Sequence, residues 1–315
     1  MSAFDWTVQL LGIALALAAA PMFVGWVNQC RAWLQNKSAP SLLQPYRGIR
    51  KLFHKDAVIA VHASRLFRLA PYIVFGAMVT AAAVIPSIAT RLPMTQAADA
   101  IALVGLLATA RVFLSLAAMD VGTAFGTMGA RREMMIGFLA EPALLVVIFV
   151  VSLTCATTAL PLIAERLSAQ SFAVNPSLAF TAVAFTMVLL AENARIPVDN
   201  PATHLELTMI HEALLLEYSA RHLALMEWAA ALKLFNYACI GLAVFIPWGI
   251  ATTRAPLSLA VAIVLLAVKL AVAGAGLALI ETLSAKLRVF RAPEFLASAF
   301  LFAVLGLLVR LLLGA

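Results

Sequence analysis

The sequence predicts an all-α, polytopic membrane helix bundle. Three observations carry that expectation. Mean hydropathy over the 315 residues is +1.00, with 64% apolar and only 12% charged residues, far outside the composition of water-soluble domains. Apolar runs of roughly 20 residues, the length that crosses a bilayer, recur from end to end. Alternating strands of about ten residues, the pattern of an outer-membrane barrel, are absent. Backbone groups in hydrocarbon need partners inside their own segment, so runs of this length are helices.

Eight spans are expected, at about 6–27, 69–90, 98–118, 137–163, 172–191, 223–249, 257–280 and 293–313. The first stretch, MSAFDWTVQ, has neither the basic region nor the small-residue cleavage site of a signal peptide, so span one is expected to remain. The loop after it, 28–68, carries eight basic residues: Arg31, Lys37, Arg47, Arg50, Lys51, Lys55, Arg65 and Arg68. Alternate loops add Arg131, Arg132, Arg195, Arg221, Lys286, Arg288 and Arg291, which makes fifteen on that side. The other side receives four, Arg91, Arg166, Arg254 and Arg310. Lysine and arginine collect on the cytoplasmic face, which puts both termini outside and the large odd-numbered loops inside. The net charge of +7 follows from this asymmetry, and no nucleic-acid partner is needed to account for it. No repeat or linker divides the chain, so a single membrane domain over 1–315 is expected.

Several chemistries find no support. Cys30, Cys155 and Cys239 are isolated in or beside spans, with no CxxC or Cys/His pattern, so neither a disulfide framework nor a metal centre is indicated. HEALL at His211 opens like a zinc-protease motif but lacks its second histidine. There is no Gly-rich phosphate loop and no GxSxG.

Charge inside the spans is the more informative signal. Glu141 lies about one turn into the fourth span, Arg111 interrupts the third, Glu227 and Lys233 lie in the sixth, and Lys269 is central to the seventh. Each such charge at a helix centre costs roughly 2.5–3.5 kcal/mol on insertion scales. They are expected to face the bundle interior, to pair, or to line a hydrated path, with Arg111 as a counter-ion to the carboxylates. A glutamate one turn from a helix end can also snorkel to the headgroups.

A second concentration follows the fifth span: AENARIPVDNPATHLELTMIHEALLLEYSARH, residues 191–222. It holds seven charges and three of the five histidines. Glu192 and Arg195 share a face if the helix continues through them. Pro197 breaks that helix, Asp199 or Asn200 offers an N-cap, and Pro201 suits the first helical position. A new helix is expected from there through 219. At about 3.6 residues per turn, Glu206 and Glu217 then share one face with Ile210 and Leu214, while Glu212 points elsewhere. A solvated face is the bland reading, but the carboxylates alternate with Leu, Met and Ile. Partly desolvated carboxylates beside like charges are suited to proton exchange.

These residues resemble a known family. AENARIPVDNPATHLELTMIHEALLLEYS is similar to the signature shared by the H subunit of respiratory complex I and its counterpart in membrane-bound [NiFe] hydrogenases. In complex I the equivalent is a Glu, then Arg-x-Pro-Phe-Asp, then a Glu-rich stretch and Glu-Tyr-Ser. Glu192, Arg195, Pro197, Asp199, Glu206 and Glu217-Tyr218-Ser219 match it, and the VDNPATHLELT wording looks like the hydrogenase branch. MDVGTAFGTMGARREMMIGFLAEPALLV, 119–146, resembles that branch's LDTGSAFGGMGASREM followed by AEP. SAPSLLQPYRGIRKLFHKD, 38–56, resembles its GPGxLQxYRDIxKL. Departures fall at Ala39, Gly48, Thr127 and Arg131, and Ala202, Thr203 and His204 replace loop carboxylates of complex I.

The resemblance implies a non-catalytic, proton-conducting coupling subunit of a formate-hydrogenlyase-type or energy-converting [NiFe]-hydrogenase complex in the bacterial inner membrane. It implies a relay through Glu141, Glu192, Glu206 and Glu217, to which the charge pattern above adds Glu212, Glu227, Lys233 and Lys269. Gln44, Arg47, Asp120, Arg132, Arg195, Asp199 and Tyr218 would lie at the cytoplasmic loops facing the redox arm. The [NiFe] centre and iron–sulfur clusters would belong to peripheral large and small subunits, with antiporter-like subunits beside this chain in the lipid bilayer. A quinone is not expected in this branch. The alternatives are the H subunit of a quinone-reducing complex I, a stand-alone ion transporter, and a scaffold that conducts nothing. A transporter would favour paired, Gly/Pro-broken spans, and none is visible.

Overall fold

The computed structural model describes residues 3–94, 99–169, 175–199, 209–252, 255–285, 287 and 291–313. Eleven helices occur among them: α1 (Ala3–Leu34), α2 (Gln44–Phe53), α3 (Arg65–Val84), α4 (Ala100–Asp120), α5 (Ala124–Cys155), α6 (Leu160–Ala169), α7 (Pro176–Glu192), α8 (His211–Leu215), α9 (Ala220–Phe245), α10 (Pro256–Leu283) and α11 (Ala292–Leu313). No strand joins them in the described residues beyond two isolated bridges, Ala89 with Ala251 and Asp99 with Ala159. Among the described residues seven helices are long and apolar enough to cross a membrane, and α7, at 17 residues, is a shorter apolar helix. At about 1.5 Å per residue α7 extends roughly 25 Å, near the lower limit for a span. The expected all-α membrane bundle and its eight apolar helices are therefore present.

Local chemistry fixes most helix starts. Ser64, Asp99, Thr123 and Asn175 cap α3, α4, α5 and α7 by accepting from backbone N–H groups of the first turn, which satisfies donors the helix leaves open. Pro176 occupies the first position of α7 and Pro256 that of α10, where a missing N–H costs nothing.

Interhelical contacts order the bundle. α10 packs on α1, α1 on α9, α9 on α3, α3 on α4, α4 on α5, and α5 on α7, with α11 across α5 and α7. α9 is the most enclosed helix; Phe235 and Tyr237 on it are among the largest fully buried side chains. Polar groups tie the helices together: Asn236 Nδ2 donates to the Met78 carbonyl at 2.9 Å and Ser177 Oγ to that of Gly306 at 2.8 Å. Such bonds replace the hydrophobic drive that lipid does not supply between helices.

The connections separate into two ends. At one, Ser64 N donates to Asp120 Oδ2, Val58 N to Ser219 Oγ, and Leu287 N to the Pro197 carbonyl. At the other, Thr90 N donates to Ala251 O and Ala100 N to Thr158 O, and Arg91 pairs with Glu165 at 3.3 Å. The first end carries the amphipathic α2 and the short α8.

Two expectations need correction. The fourth span, expected at 137–163, instead belongs to α5 and runs from Ala124 to Cys155. Thr123 caps it, so that it begins thirteen residues earlier than expected, and Ala156 ends it in the left-handed region with φ 48°. The apolar residues after that turn form α6. Glu141 is consequently near the middle of its helix. The expected continuous helix through 219 is also absent: α8 covers only His211–Leu215, and Glu217 lies in the turn before α9. Its early part, with Pro201 and Glu206, lies outside the described residues.

Candidate functional site

Arg111 on α4 is the centre of the site. Its guanidinium is 6% exposed and faces three carboxylates. Nη1 donates to Glu141 Oε1 at 2.7 Å and Nη2 to Glu192 Oε1, while Nε stands 3.7 Å from Glu133 Oε1. Gly137, one turn before Glu141 on α5, makes room: a Cβ there would meet Arg111 Cδ at 2.9 Å. From α9, Lys233 Nζ lies 3.0 Å from Glu192 Oε2. That approach lacks hydrogen-bond alignment, so the oxygen is paired by charge without a directed donor. Tyr237, fully buried on the next turn of α9, stands beside Glu192. Four helices thus contribute three carboxylates and two cations to one buried group.

The fold explains this meeting. Glu192 is the last residue of α7, where the chain leaves the bundle, and its side chain is 1% exposed. Glu133 and Glu141 are eight residues apart on α5, about two turns, and so fall on one side. Glu133 is buried; Glu141 remains 35% exposed. Burying such a group is tolerable only when charges pair. Three carboxylates against two cations leave one formal negative charge over.

A cavity of about 30 Å³ adjoins the cluster, lined in part by Arg111, Glu133, Lys233 and His211. That exceeds the roughly 10–15 Å³ a water needs, and the wall offers polar partners. His211 opens α8, and its backbone N–H donates to Asp199 Oδ2 at 3.2 Å. Part of His211 is accessible, but the crowd of protein atoms around the ring dominates. Burial pushes the imidazole below its ordinary value; Glu133 and Asp199 oppose this and Lys233 adds to it. Gly129 on α5 lets α8 approach, since a Cβ there would stand 2.8 Å from that of Ala213.

A second cluster lies towards α1. Glu281 on α10, 1% exposed, pairs with Arg195 Nη1 at 3.2 Å and Arg31 Nη1 at 3.5 Å. Arg195 follows the turn at Ala194, φ 49°, so Glu192 and Arg195 diverge to different clusters rather than sharing a helix face.

The remaining expected residues are spread out. Asp120 accepts from Ser64 N at 2.8 Å. Arg132 donates to the Met209 carbonyl at 2.7 Å, holding the segment before α8. The Tyr218 hydroxyl donates to Phe67 O at 3.0 Å, and its ring stacks on Phe67 at 4.1 Å; burial, then Asp120, pushes its phenol up. Glu212 and Glu217 are half-buried around α8, outside the Arg111 cluster. Glu227 is exposed on α9 rather than facing the interior. Lys269 donates to the Ile246 carbonyl at 2.6 Å and to that of Trp248. It therefore closes the open carbonyl end of α9 at the far end of the bundle, away from the carboxylates. Gln44 and Arg47 are exposed on α2.

Glu133, Tyr237 and Glu281 belong to these clusters without being singled out by sequence, and His211 stands out there only as the start of an incomplete zinc motif. Glu133 was hidden by the late start expected for the fourth span, and Glu281 by its place just beyond the seventh. Eight-residue spacing between Glu133 and Glu141 was the signal available, and it needed the helix to begin at Ala124. Among the described residues, no group of three or more His, Cys, Asp or Glu side chains is placed to hold a metal ion.

Comparison with known proteins agrees with this architecture. The chain is 32% identical over 297 residues to formate hydrogenlyase subunit 4 of Escherichia coli (strain K12), covering 94% of this chain and 96% of that protein. It is 33% identical over 236 residues to hydrogenase-4 component C of the same organism, covering 75% and 73%. A chain of the membrane-bound sulfane sulfur reductase, an archaeal respiratory membrane complex, superposes with a TM-score of 0.80 at 19% identity, over 96% of this chain and 98% of that one. Residues 7–312 match the profile of the NADH dehydrogenase family, and the chain belongs to that family.

Proposed function

We propose that the chain is the membrane anchor and proton-conducting coupling subunit of an energy-converting [NiFe]-hydrogenase or formate-hydrogenlyase-type complex in a bacterial inner membrane. The single observation that carries the proton-conducting part is the buried group of Glu133, Glu141 and Glu192 around Arg111 and Lys233. The two hydrogenase relatives, and the length of both matches, support the kind of complex.

Redox chemistry belongs to peripheral large and small subunits, which supply the nickel–iron centre and iron–sulfur clusters. They dock at the end bearing α8, the basic and cytoplasmic one, where Asp120, Arg132, Asp199 and Tyr218 hold the loops and Gln44 is exposed on α2. Charge changes there act on Asp199 and His211, and through the adjoining cavity on Glu133. A proton reaching Glu133 weakens its hold on Arg111 and shifts the guanidinium toward Glu192 and Glu141. Glu141, the most accessible of the three, hands the proton to a neighbouring antiporter-like subunit. Glu206, Glu212 and Glu217 feed the mouth, whereas Glu227 and Lys269 stand apart from this route.

The test is Glu141→Gln in the assembled complex, in sealed membrane vesicles. Proton uptake per electron transferred is expected to fall at least tenfold, with nickel content and subunit composition unchanged. Coupling at the native ratio would overturn the relay. Co-purification without a nickel-bearing large subunit would overturn the hydrogenase assignment.

A further inference from the structure

α2 lies beside α1 without filling the space between them. The α1 wall is Leu15, Ala18, Ala19 and Met22; the α2 wall is Leu43, Tyr46, Arg47 and Arg50. Each set repeats at three- and four-residue steps and so forms one stripe of its helix. The open groove between them measures about 570 Å³, within the roughly 300–1,000 Å³ typical of small-molecule sites. Its α1 wall is apolar throughout, and the small side chains of Ala18 and Ala19 leave the space open. Along α1 the same stripe continues to Leu11, 53% exposed, on a face open to lipid.

The α2 wall is different in character. Arg47 and Arg50 are exposed and one turn apart. Neither guanidinium has a carboxylate partner among the described residues. α2 has no acidic residue, and Lys51 adds a third positive charge. Forked donors in this arrangement suit phosphate oxygens. Half-buried Tyr46 adds a further donor, since burial pushes its phenol up and keeps the proton on. An apolar trough ending in two unpaired guanidiniums is complementary to a molecule with a hydrocarbon tail and an anionic head.

We propose that the groove between α1 and α2 holds an anionic phospholipid of the surrounding bilayer, one acyl chain against Leu15, Ala18, Ala19 and Met22 and its phosphodiester on Arg47 and Arg50. Basic residues at a membrane surface recognise anionic headgroups in this way. The lipid completes the packing of α2, which otherwise rests on the bundle through buried Ile49 and the contact of Phe53 with Trp228. This assignment turns Arg47 towards lipid and away from the redox arm. It stands independently of the proton relay.

The full chain, extracted in mild detergent with whatever subunits accompany it, is exchanged free of native lipid. It is then titrated with dioleoylphosphatidylglycerol or dioleoylphosphatidylcholine and observed by native mass spectrometry. One phosphatidylglycerol is expected to bind at least tenfold more tightly than phosphatidylcholine. The double variant Arg47→Gln/Arg50→Gln should reduce phosphatidylglycerol to the phosphatidylcholine level, and Ala18→Leu, which fills the trough with both arginines intact, should abolish retention of either. Circular dichroism and gel filtration check that both variants are folded. Equal binding of the two lipids by the native chain, an undiminished preference in the double variant, or unchanged binding in Ala18→Leu would each overturn the site. So would a groove filled by a partner subunit in the assembled complex.

Discussion

Arg111 is bound to two carboxylates directly and to a third through space, so its surroundings decide which anion keeps it. His211 is the titratable group best placed to alter that balance, because it shares a cavity wall with Arg111, Glu133 and Lys233 and stands close to Asp199. Its imidazole has a lowered value in the folded chain, from an ordinary 6.5. In the window below 6.5 the unfolded or opened state binds more protons than the folded one, so stability rises with pH and is lost as pH falls towards the folded value. Hydrogen exchange at residues 209–215 is expected to accelerate at least threefold between pH 7.5 and 5.5, after correction for intrinsic rates. His211→Asn should remove most of that acceleration. Equal pH dependence in the variant would show that His211 does not govern the opening of α8.

Helix ends decided what could be read from sequence. The eight apolar helices were legible because a run of twenty hydrophobic residues permits almost no other structure in lipid. Arg111, Glu141, Glu192 and Lys233 were legible as charges that need company. Their meeting around Arg111 was not, since helix order in the bundle depends on long-range packing. Glu133 was missed for a local reason: the capped start of α5 is polar, and hydropathy places the span where the apolar residues begin. The other end of α5 was missed too, because Ala156 carries no mark of a break. A left-handed alanine costs on the order of 1–2 kcal/mol relative to glycine. Ala156→Gly is therefore expected to stabilise the chain by about 1 kcal/mol, near the usual value of a glycine after a helix. The measurement is a thermal unfolding midpoint in detergent. A lower midpoint would mean that contacts of the Ala156 methyl, not the backbone, hold the α5–α6 turn.

Across the whole molecule, two buried ion clusters bracket the segment after α7. Glu192 anchors its start to α4 and α9, and Arg195 anchors it three residues later to Glu281 of α10, which also holds Arg31 of α1. The backbone adds the bond from Leu287 N to Pro197 O. The segment leading to Asp199 and α8 is therefore fastened from both flanks of the bundle, and movement there must be felt by α1 and α10 as well as by the Arg111 cluster. Glu281 is the crucial member because one carboxylate serves two guanidiniums. Removing one partner of a buried ion pair typically costs about 3–5 kcal/mol, since the remaining charge loses its compensation. Glu281→Gln should accordingly free Arg195 and raise hydrogen exchange across 193–199 at least tenfold, while Glu227→Gln, on an exposed face of α9, should leave it unchanged. If proton translocation by the Glu281→Gln complex falls while its redox turnover persists, the fastening transmits the coupling. Normal translocation with a loosened segment would confine Glu281 to holding the fold.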